Sequence, residues 1–227
     1  MKKLESNFRN MVLVLFGITI FSAVVLSSVY SLTKESIDQK KNSRQMVAIR
    51  SVLPPYDHLD TTPVEMNDGV EITRVFKAYN KNNEIVGAAV ESSSNNGYKG
   101  HIDIVVGFNK KGVIIDYEVL DQNETLGLGS KMVNWFKTNK AKQSIIGKNA
   151  STANLNLIGA GGEIDAITAA TISSRAFMFA VRNAYYAFKS DIEAHINVTN
   201  NVADSLHHVK TDSTSTHSIF ETKGQHQ

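Results

Sequence analysis

The sequence predicts an α+β fold, in which one N-terminal transmembrane helix is followed by an extracytoplasmic domain with an antiparallel sheet and packed helices. Three observations predict this class: a long uncharged apolar run near the N-terminus, alternating segments at hairpin spacing, and an apolar stripe of helical period near residue 180. A chain of 227 residues has room for one ordinary domain with appendages.

The first element is the apolar run over residues 11–32, MVLVLFGITIFSAVVLSSVYSL, which contains no charged side chain. At about 1.5 Å per residue it is long enough to cross a hydrocarbon core about 30 Å thick. We therefore predict an uncleaved transmembrane helix. The alternative is a cleaved signal peptide, although no small-x-small cleavage signal follows Leu26.

Flanking charge predicts the orientation of this helix. The basic residues of the short preceding segment are Lys2, Lys3 and Arg9. The positive-inside tendency therefore places residues 1–10 in the cytoplasm as a tail and the main domain on the periplasmic side of the inner membrane. Three basic residues on the far side oppose this orientation, namely Lys34, Lys40 and Lys41.

The remaining elements are predicted in chain order. Residues 33–68 are polar and predict a stalk, whose helical half (36–53) ends at Pro54-Pro55. The main domain is expected over 69–197. Alternation predicts two hairpins in it, with strands at 70–79, 84–91, 101–108 and 113–120 and turns at 80–83 and 109–112.

Two helices and a tail complete the predicted chain. A short helix is expected over 130–138, with Met132, Trp135 and Phe136 facing the core. The last helix carries an apolar stripe formed by Phe177, Ala180, Val181, Ala184, Tyr185 and Phe188. Residues 198–227 are polar and predict a disordered tail, in which His207, His208, His217 and His226 are expected to be solvated rather than metal ligands.

Composition excludes several function classes. The chain has no cysteine, which excludes disulfides, a thiolate iron–sulfur cluster, a c-type haem attachment and a lipoprotein anchor. Any redox chemistry must therefore use an organic cofactor. The formal net charge is +2 and the basic residues are scattered, so there is no electrostatic signature of nucleic-acid binding. The segment 159–162 (GAGG) lacks the spacing of a dinucleotide-binding fingerprint.

Residues 165–171, DAITAAT, are the strongest candidate functional segment because they follow a glycine-rich loop and open the last helix. Capping of the helix is the favoured explanation from the pattern alone, with Thr168, Thr171, Ser173 and Ser174 all able to act as caps. The same position suits a phosphate, because free amide hydrogens and the positive end of the helix dipole meet there. A threonine hydroxyl in this setting is also a reasonable phosphoester acceptor.

Several separated segments resemble the RnfG/NqrC family of covalent-FMN proteins. Residues 165–171 resemble its D-x-x-[ST]-G-A-T pattern, residues 97–102 (GYKGHI) its G-Y-x-G-x-I and residues 124–129 (ETLGLG) its E-T-P-G-L-G. The opening MKKLES and the VLP of residues 52–54 look more like the RnfG branch. Two residues depart from the pattern: Ala169 stands in place of glycine and Leu126 in place of proline.

The resemblance implies that Thr171 carries FMN through a phosphoester bond. The other residues it implies near the flavin are Asp165, Thr168, Ala169, Ala170, Tyr98, Glu124, Thr125, Leu128 and Gly129. The glycines of these segments would let the ring approach the main chain, although each can equally be a simple turn residue. The departures at Ala169 and Leu126 are expected to slow modification and to alter the flavin's environment, respectively.

The function implied is that of an electron-carrying subunit in a membrane-bound Rnf-type complex, which couples electron transfer between ferredoxin and NAD to sodium or proton translocation. The implied partners are the other subunits and a flavin transferase of the ApbE type, which would attach the FMN. Two alternatives stay open: an NqrC-like subunit of a sodium-translocating NADH:quinone reductase, and a non-redox membrane-anchored binding module in which Thr171 is only a cap.

Overall fold

The computed structural model describes residues 8–65 and 72–192. The chain divides into two compact units, residues 1–47 and 48–227. Helix α1 (Phe8–Val52) supplies the described part of the first unit, and its final turn belongs to the second. It contains an 18-residue window of mean hydropathy 2.5, so by length and composition it can cross a membrane. The predicted apolar helix is thus present.

The second unit contains a five-stranded antiparallel sheet in which sequence neighbours pair in the order β1-β2-β3-β4-β5. The strands are β1 (His58–Glu65), β2 (Ile72–Tyr79), β3 (Ile85–Gly97), β4 (Gly100–Asn109) and β5 (Ile114–Gln122). The predicted α+β class and both predicted hairpins are therefore present. Strand β3 extends to Gly97, six residues beyond the predicted end, because its polar second half continues to pair with β4.

The structure corrects the predicted stalk over residues 33–68. Its first part continues α1 to Val52, and residues 58–65 form the edge strand β1 instead of a linker. Strand β1 is polar and contains Pro63, which an edge strand tolerates because one side of its backbone needs no partner. Strand β1 belongs to the sheet because its backbone pairs with β2, and its mostly polar side chains do not predict this pairing.

Each face of the sheet is covered by a different helix. On one face, Val75, Val90 and Val106 pack in the main core with helix α3, which is described over residues 171–192. On the other face, Ile49 and Val52 from the last turn of α1 pack in a smaller core with Phe76 and its neighbours. The predicted apolar stripe of α3 is buried, except that Tyr185 is only partly covered.

The segment between β5 and α3 contains little regular structure. A 3₁₀ turn (Gly129–Lys131) leads into a single turn of helix α2 (Met132–Trp135), which is shorter than the predicted helix over 130–138. Met132 and Phe136 are fully buried and Trp135 is partly buried, as the pattern predicted for core-facing residues. The predicted disordered tail and its histidines lie outside the described residues.

Candidate functional site

The motif loop, residues 165–171, is fixed at its start by Asp165. The Asp165 backbone N–H donates to the Lys142 carbonyl at 2.9 Å, and its Oδ2 accepts from the Lys142 N–H at 3.0 Å. Its carbonyl oxygen accepts from the Trp135 indole N–H at 3.1 Å. Asp165 therefore holds the loop in place through its own side chain and backbone.

A tight turn over residues 167–170 leads directly into α3. It is closed by the Ala170 N–H, which donates to the Ile167 carbonyl at 2.9 Å. The third residue, Ala169, has a φ of +61°, in the left-handed region where glycine is usual. The chain thus keeps the conformation expected for a glycine at the position where it has alanine.

The buried Ser174 hydroxyl holds this turn against the helix. Its Oγ accepts from the Ile167 N–H and donates to the Ala170 carbonyl, both at 2.9 Å. Because the Ser174 N–H also donates to the Ala170 carbonyl, Thr171 is the first residue inside the helix. The predicted N-cap role of Ser174 is wrong, since its hydroxyl accepts from an amide that lies before the helix.

The capping explanation for Thr171 and Thr168 is also wrong. Both side chains are exposed, and within residues 8–65 and 72–192 neither hydroxyl makes a hydrogen bond. Ser173, the remaining candidate, uses its hydroxyl to donate to Glu124 Oε2 at 2.8 Å. Across the described part of the chain, the amide hydrogens of residues 171–173 have no acceptor.

These groups lie at a cleft of about 560 Å³, formed where the β3–β4 turn, the loop after β5 and the start of α3 meet. Its lining residues are Tyr98, Glu124, Thr125, Leu128, Gly129, Ala169, Ala170, Thr171, Ile172 and Ser173. Most of the residues expected near the flavin are therefore brought together, although their contacts with a flavin stay predictions. Asp165 and Thr168 are not in the lining.

Ile172 and Ser173 line the cleft but were not among the expected site residues. Their position in the sequence could have identified them, because the second and third residues of a helix expose their backbone amides at the same end as the first. Ile172 is 52% exposed and Leu128 40% exposed, so both present aliphatic surface to the cleft that Thr171 also lines.

The loop over residues 124–129 contains a turn of similar design. The Leu128 N–H donates to the Thr125 carbonyl at 3.1 Å, and Gly127, the third residue of the turn, has a φ of +77°. Leu126 occupies the second position, which favours proline in turns of this type, and is 87% exposed. Both departures from the family pattern thus fall within turns whose backbone matches the family residue.

Comparison with known proteins agrees with this geometry. Residues 97–186 match the family described as the FMN-binding domain. The matched range includes the β3–β4 turn, the loop over residues 124–129 and Thr171. This part of the chain is similar to FMN-binding domains. The cofactor type and the family resemblance predicted from the sequence motifs are therefore confirmed.

Named relatives extend the similarity across most of the chain. A protein of Aliivibrio fischeri strain MJ11, named as a component of the ion-translocating oxidoreductase complex, is 28% identical over 81% of this chain and 90% of its own length. A component of the Na(+)-translocating ferredoxin:NAD(+) oxidoreductase complex of Acetobacterium woodii is 27% identical over 78% and 90%. The crystal structure of Shewanella oneidensis NqrC aligns with a TM-score of 0.38 at 17% identity, over 64% of this chain and 73% of that one.

The cleft fits an FMN in size and chemistry. Ligand pockets usually enclose about 300–1,000 Å³, a range that includes this cleft. The unpaired amides at the start of α3 match a phosphate, and the aliphatic surface of Leu128 and Ile172 beside Tyr98 matches a planar ring. The buried Gly129 keeps the main chain close, since a Cβ there would lie 2.6 Å from Ser173 Oγ.

Proposed function

We propose that this protein is the membrane-anchored, flavin-carrying electron-transfer subunit of an ion-translocating oxidoreductase complex, with FMN bound covalently to Thr171. The observation that carries the proposal is the exposed Thr171 hydroxyl, which lies at the first residue of α3 in the cleft of an FMN-binding domain. The names of its relatives support membership of such a complex, including one that acts on ferredoxin and NAD(+).

Attachment of the cofactor is a phosphoryl-type transfer from FAD, performed by a separate flavin transferase of the ApbE type. The Thr171 Oγ–P bond forms, the pyrophosphate P–O bond of FAD breaks, AMP leaves and the hydroxyl proton passes to the transferase or solvent. Free amides at the start of α3 stabilise the phosphate charge, and the exposure of Thr171 gives a second protein access.

The bound flavin supplies the one- and two-electron redox chemistry that this chain's own side chains lack. Leu128, Ile172 and Tyr98, which line the cleft, would hold the ring and limit its contact with water. Tyr98 is 67% exposed, so one side of the cleft stays open to a partner that exchanges electrons.

The test of attachment is coexpression of the full chain with a flavin transferase, followed by denaturing electrophoresis and mass spectrometry. We expect a fluorescent band, and a peptide containing Thr171 whose mass is increased by FMN. Thr171→Ala abolishes the band, whereas Thr168→Ala, which removes an exposed hydroxyl three residues away, leaves it in place. Absence of flavin from the wild-type chain, or an unchanged band in Thr171→Ala, would contradict the proposal.

The proposed topology places the N-terminus in the cytoplasm and residues 48–192 outside it. Since the natural chain has no cysteine, a single introduced thiol reports its own location without background. Lys110→Cys, in the exposed turn between β4 and β5, should react in intact spheroplasts with a maleimide that cannot cross membranes. Ser6→Cys should react only after lysis. The reverse pattern would invert the topology.

The second candidate, an NqrC-like subunit, shares the same flavin chemistry but has different partners. The names of the two relatives above favour the first candidate. Purification of the tagged full chain from its native membrane distinguishes the two candidates. The oxidoreductase that copurifies should transfer electrons from reduced ferredoxin to NAD(+), and should not transfer electrons from NADH to quinone.

A further inference from the structure

We propose that Glu124 positions the Thr171 hydroxyl for flavin attachment by tying the β3–β4 turn to the first turn of α3. This inference rests on the proposed function of Thr171 and assigns Glu124 a role that involves no contact with the flavin. Glu124 is 5% exposed, which is unusual for a carboxylate unless it is paired or hydrogen-bonded.

Both carboxylate oxygens of Glu124 are occupied by the protein itself. Oε1 accepts from the Lys99 backbone N–H at 3.1 Å, and Oε2 accepts from the Ser173 hydroxyl at 2.8 Å. Lys99 follows Tyr98 in the β3–β4 turn, and Ser173 lies two residues after Thr171 in α3. One side chain thus connects two walls of the cleft that are far apart in sequence.

Two glycines provide the space for this connection. A Cβ at Gly97 would lie 2.5 Å from Glu124 Oε1, and a Cβ at Gly129 would lie 2.8 Å from Glu124 Oε2. A Cβ at Gly97 would also clash with the Gly100 carbonyl oxygen, and one at Gly129 with Ser173 Oγ, so a larger residue at either position would crowd the carboxylate together with its surroundings. Gly97 and Gly129 therefore make room for Glu124, whereas the sequence predicts that the glycines of these segments make room for the ring.

The connection explains how the start of α3 is held at a fixed position. Ser174 fixes the turn that precedes Thr171, and Glu124 fixes the first turn of α3 through the buried Ser173 hydroxyl. The negative charge also lies next to the positive end of the helix dipole, which stabilises this arrangement. Without Glu124, the Ser173 hydroxyl and the Lys99 amide would lose their partner, and the two walls could separate.

The experiment measures the initial rate of flavin attachment to the purified full-length chain, with FAD and a flavin transferase, from the fluorescent band on denaturing gels. Misplacement of a reacting group by about 1 Å can cost about 100-fold in rate, so we expect Glu124→Ala to slow attachment about tenfold or more. Glu124→Gln should stay within about threefold of wild type, because its amide oxygen can accept from Lys99 while its NH₂ donates to Ser173 Oγ.

The control is Glu118→Ala on β5. Glu118 also accepts a hydrogen bond within the domain, from Lys137 at 2.8 Å, but does not line the cleft. The Glu118→Ala variant should attach flavin at the wild-type rate. Recovery in the conservative Glu124→Gln variant distinguishes positioning from a general loss of folding, which we would monitor by the thermal unfolding midpoint of each unmodified chain.

Three results would overturn this inference: wild-type rates in Glu124→Ala, a rate in Glu124→Gln as low as in Glu124→Ala, or, if Glu124→Ala does not fold, an unchanged rate in Ser173→Ala. The last variant removes one hydroxyl and leaves the Lys99 half of the connection in place, so it should slow attachment by about threefold or more. Failure of the proposed function gives a different result, since the wild-type chain would then take no flavin at all.

Discussion

Substitution of Ala169 by glycine should stabilise the domain and speed flavin attachment. Ala169 has a φ of +61°, and an L-residue in this region is disfavoured by about 1–2 kcal/mol. Glycine removes that strain but has more freedom in the unfolded chain, which costs about 0.5–1 kcal/mol. The difference predicts a net gain of about 0.5–1 kcal/mol in the free energy of unfolding.

Thermal unfolding of the purified chain measures this gain. For a chain of about 150–250 residues, 1 kcal/mol raises the midpoint by about 2–4 °C, so Ala169→Gly should raise it by about 1–4 °C. The attachment rate should rise in parallel, because the strained turn immediately precedes Thr171 and relief of its strain favours the arrangement that presents the hydroxyl.

Ala141 provides a matched control, since it is an exposed alanine with a φ of +47° that does not line the cleft. Ala141→Gly should raise the unfolding midpoint by a similar amount and leave the attachment rate unchanged. The reasoning would be refuted if Ala169→Gly lowered the midpoint, or if both variants changed the attachment rate equally.

Three further predictions concern the loop after β5 and the core. Leu126→Pro should raise the free energy of unfolding by about 0.4–1 kcal/mol in urea titrations, because Leu126 holds the second position of a turn and proline restricts the unfolded chain; a loss of stability would contradict the turn assignment. Phe177→Ala should lower the free energy of unfolding by about 3–5 kcal/mol in the same measurement, because the Phe177 ring is fully buried. Its centroid lies 4.7 Å from that of Phe136 and 4.9 Å from that of Tyr117. A loss of less than about 1 kcal/mol would argue against this packing. Burial raises the pKa of the Tyr117 hydroxyl above its usual range. Above about pH 10 the unfolded state therefore loses a proton that the folded state keeps. The free energy of unfolding should then fall by up to about 1.4 kcal/mol per pH unit. Tyr117→Phe should remove this part of the alkaline fall, and an identical slope in both proteins would exclude Tyr117 as its source.

Periodicity and turn chemistry predicted those parts of the fold in which the signal is local. The two hairpins follow from alternation between turn sequences, and the stripe on α3 follows from apolar spacing over three turns. Strand β1 was missed because most of its side chains are polar, and its place in the sheet depends on backbone hydrogen bonds to β2, which side-chain periodicity does not record. The end of α1 was assigned to a stalk for a similar reason, since Ile49 and Val52 are recognisable as core residues only once the second face of the sheet exists.

The candidate site divides in the same way. Thr171 is predicted from one motif, and Tyr98, Glu124 and Leu128 from two others, because each motif is contiguous in sequence; the structure brings all four to one cleft. The sequence could not separate residues that line the cleft from residues that hold it together. Asp165 proved to fix the motif loop to Lys142, and the hydroxyls expected to cap the helix proved to have other partners or none within the described residues.

The sequence by itself determined the anchoring helix, the class of the domain, the type of cofactor and the candidate residue for its attachment, because these depend on composition and on short contiguous patterns. Only the tertiary structure decided that Ala169 keeps a glycine-like conformation, and that Glu124 joins Lys99 to Ser173. The physical reason is that a backbone torsion and a hydrogen bond between residues far apart in sequence are set by packing of the whole domain, which no local pattern records.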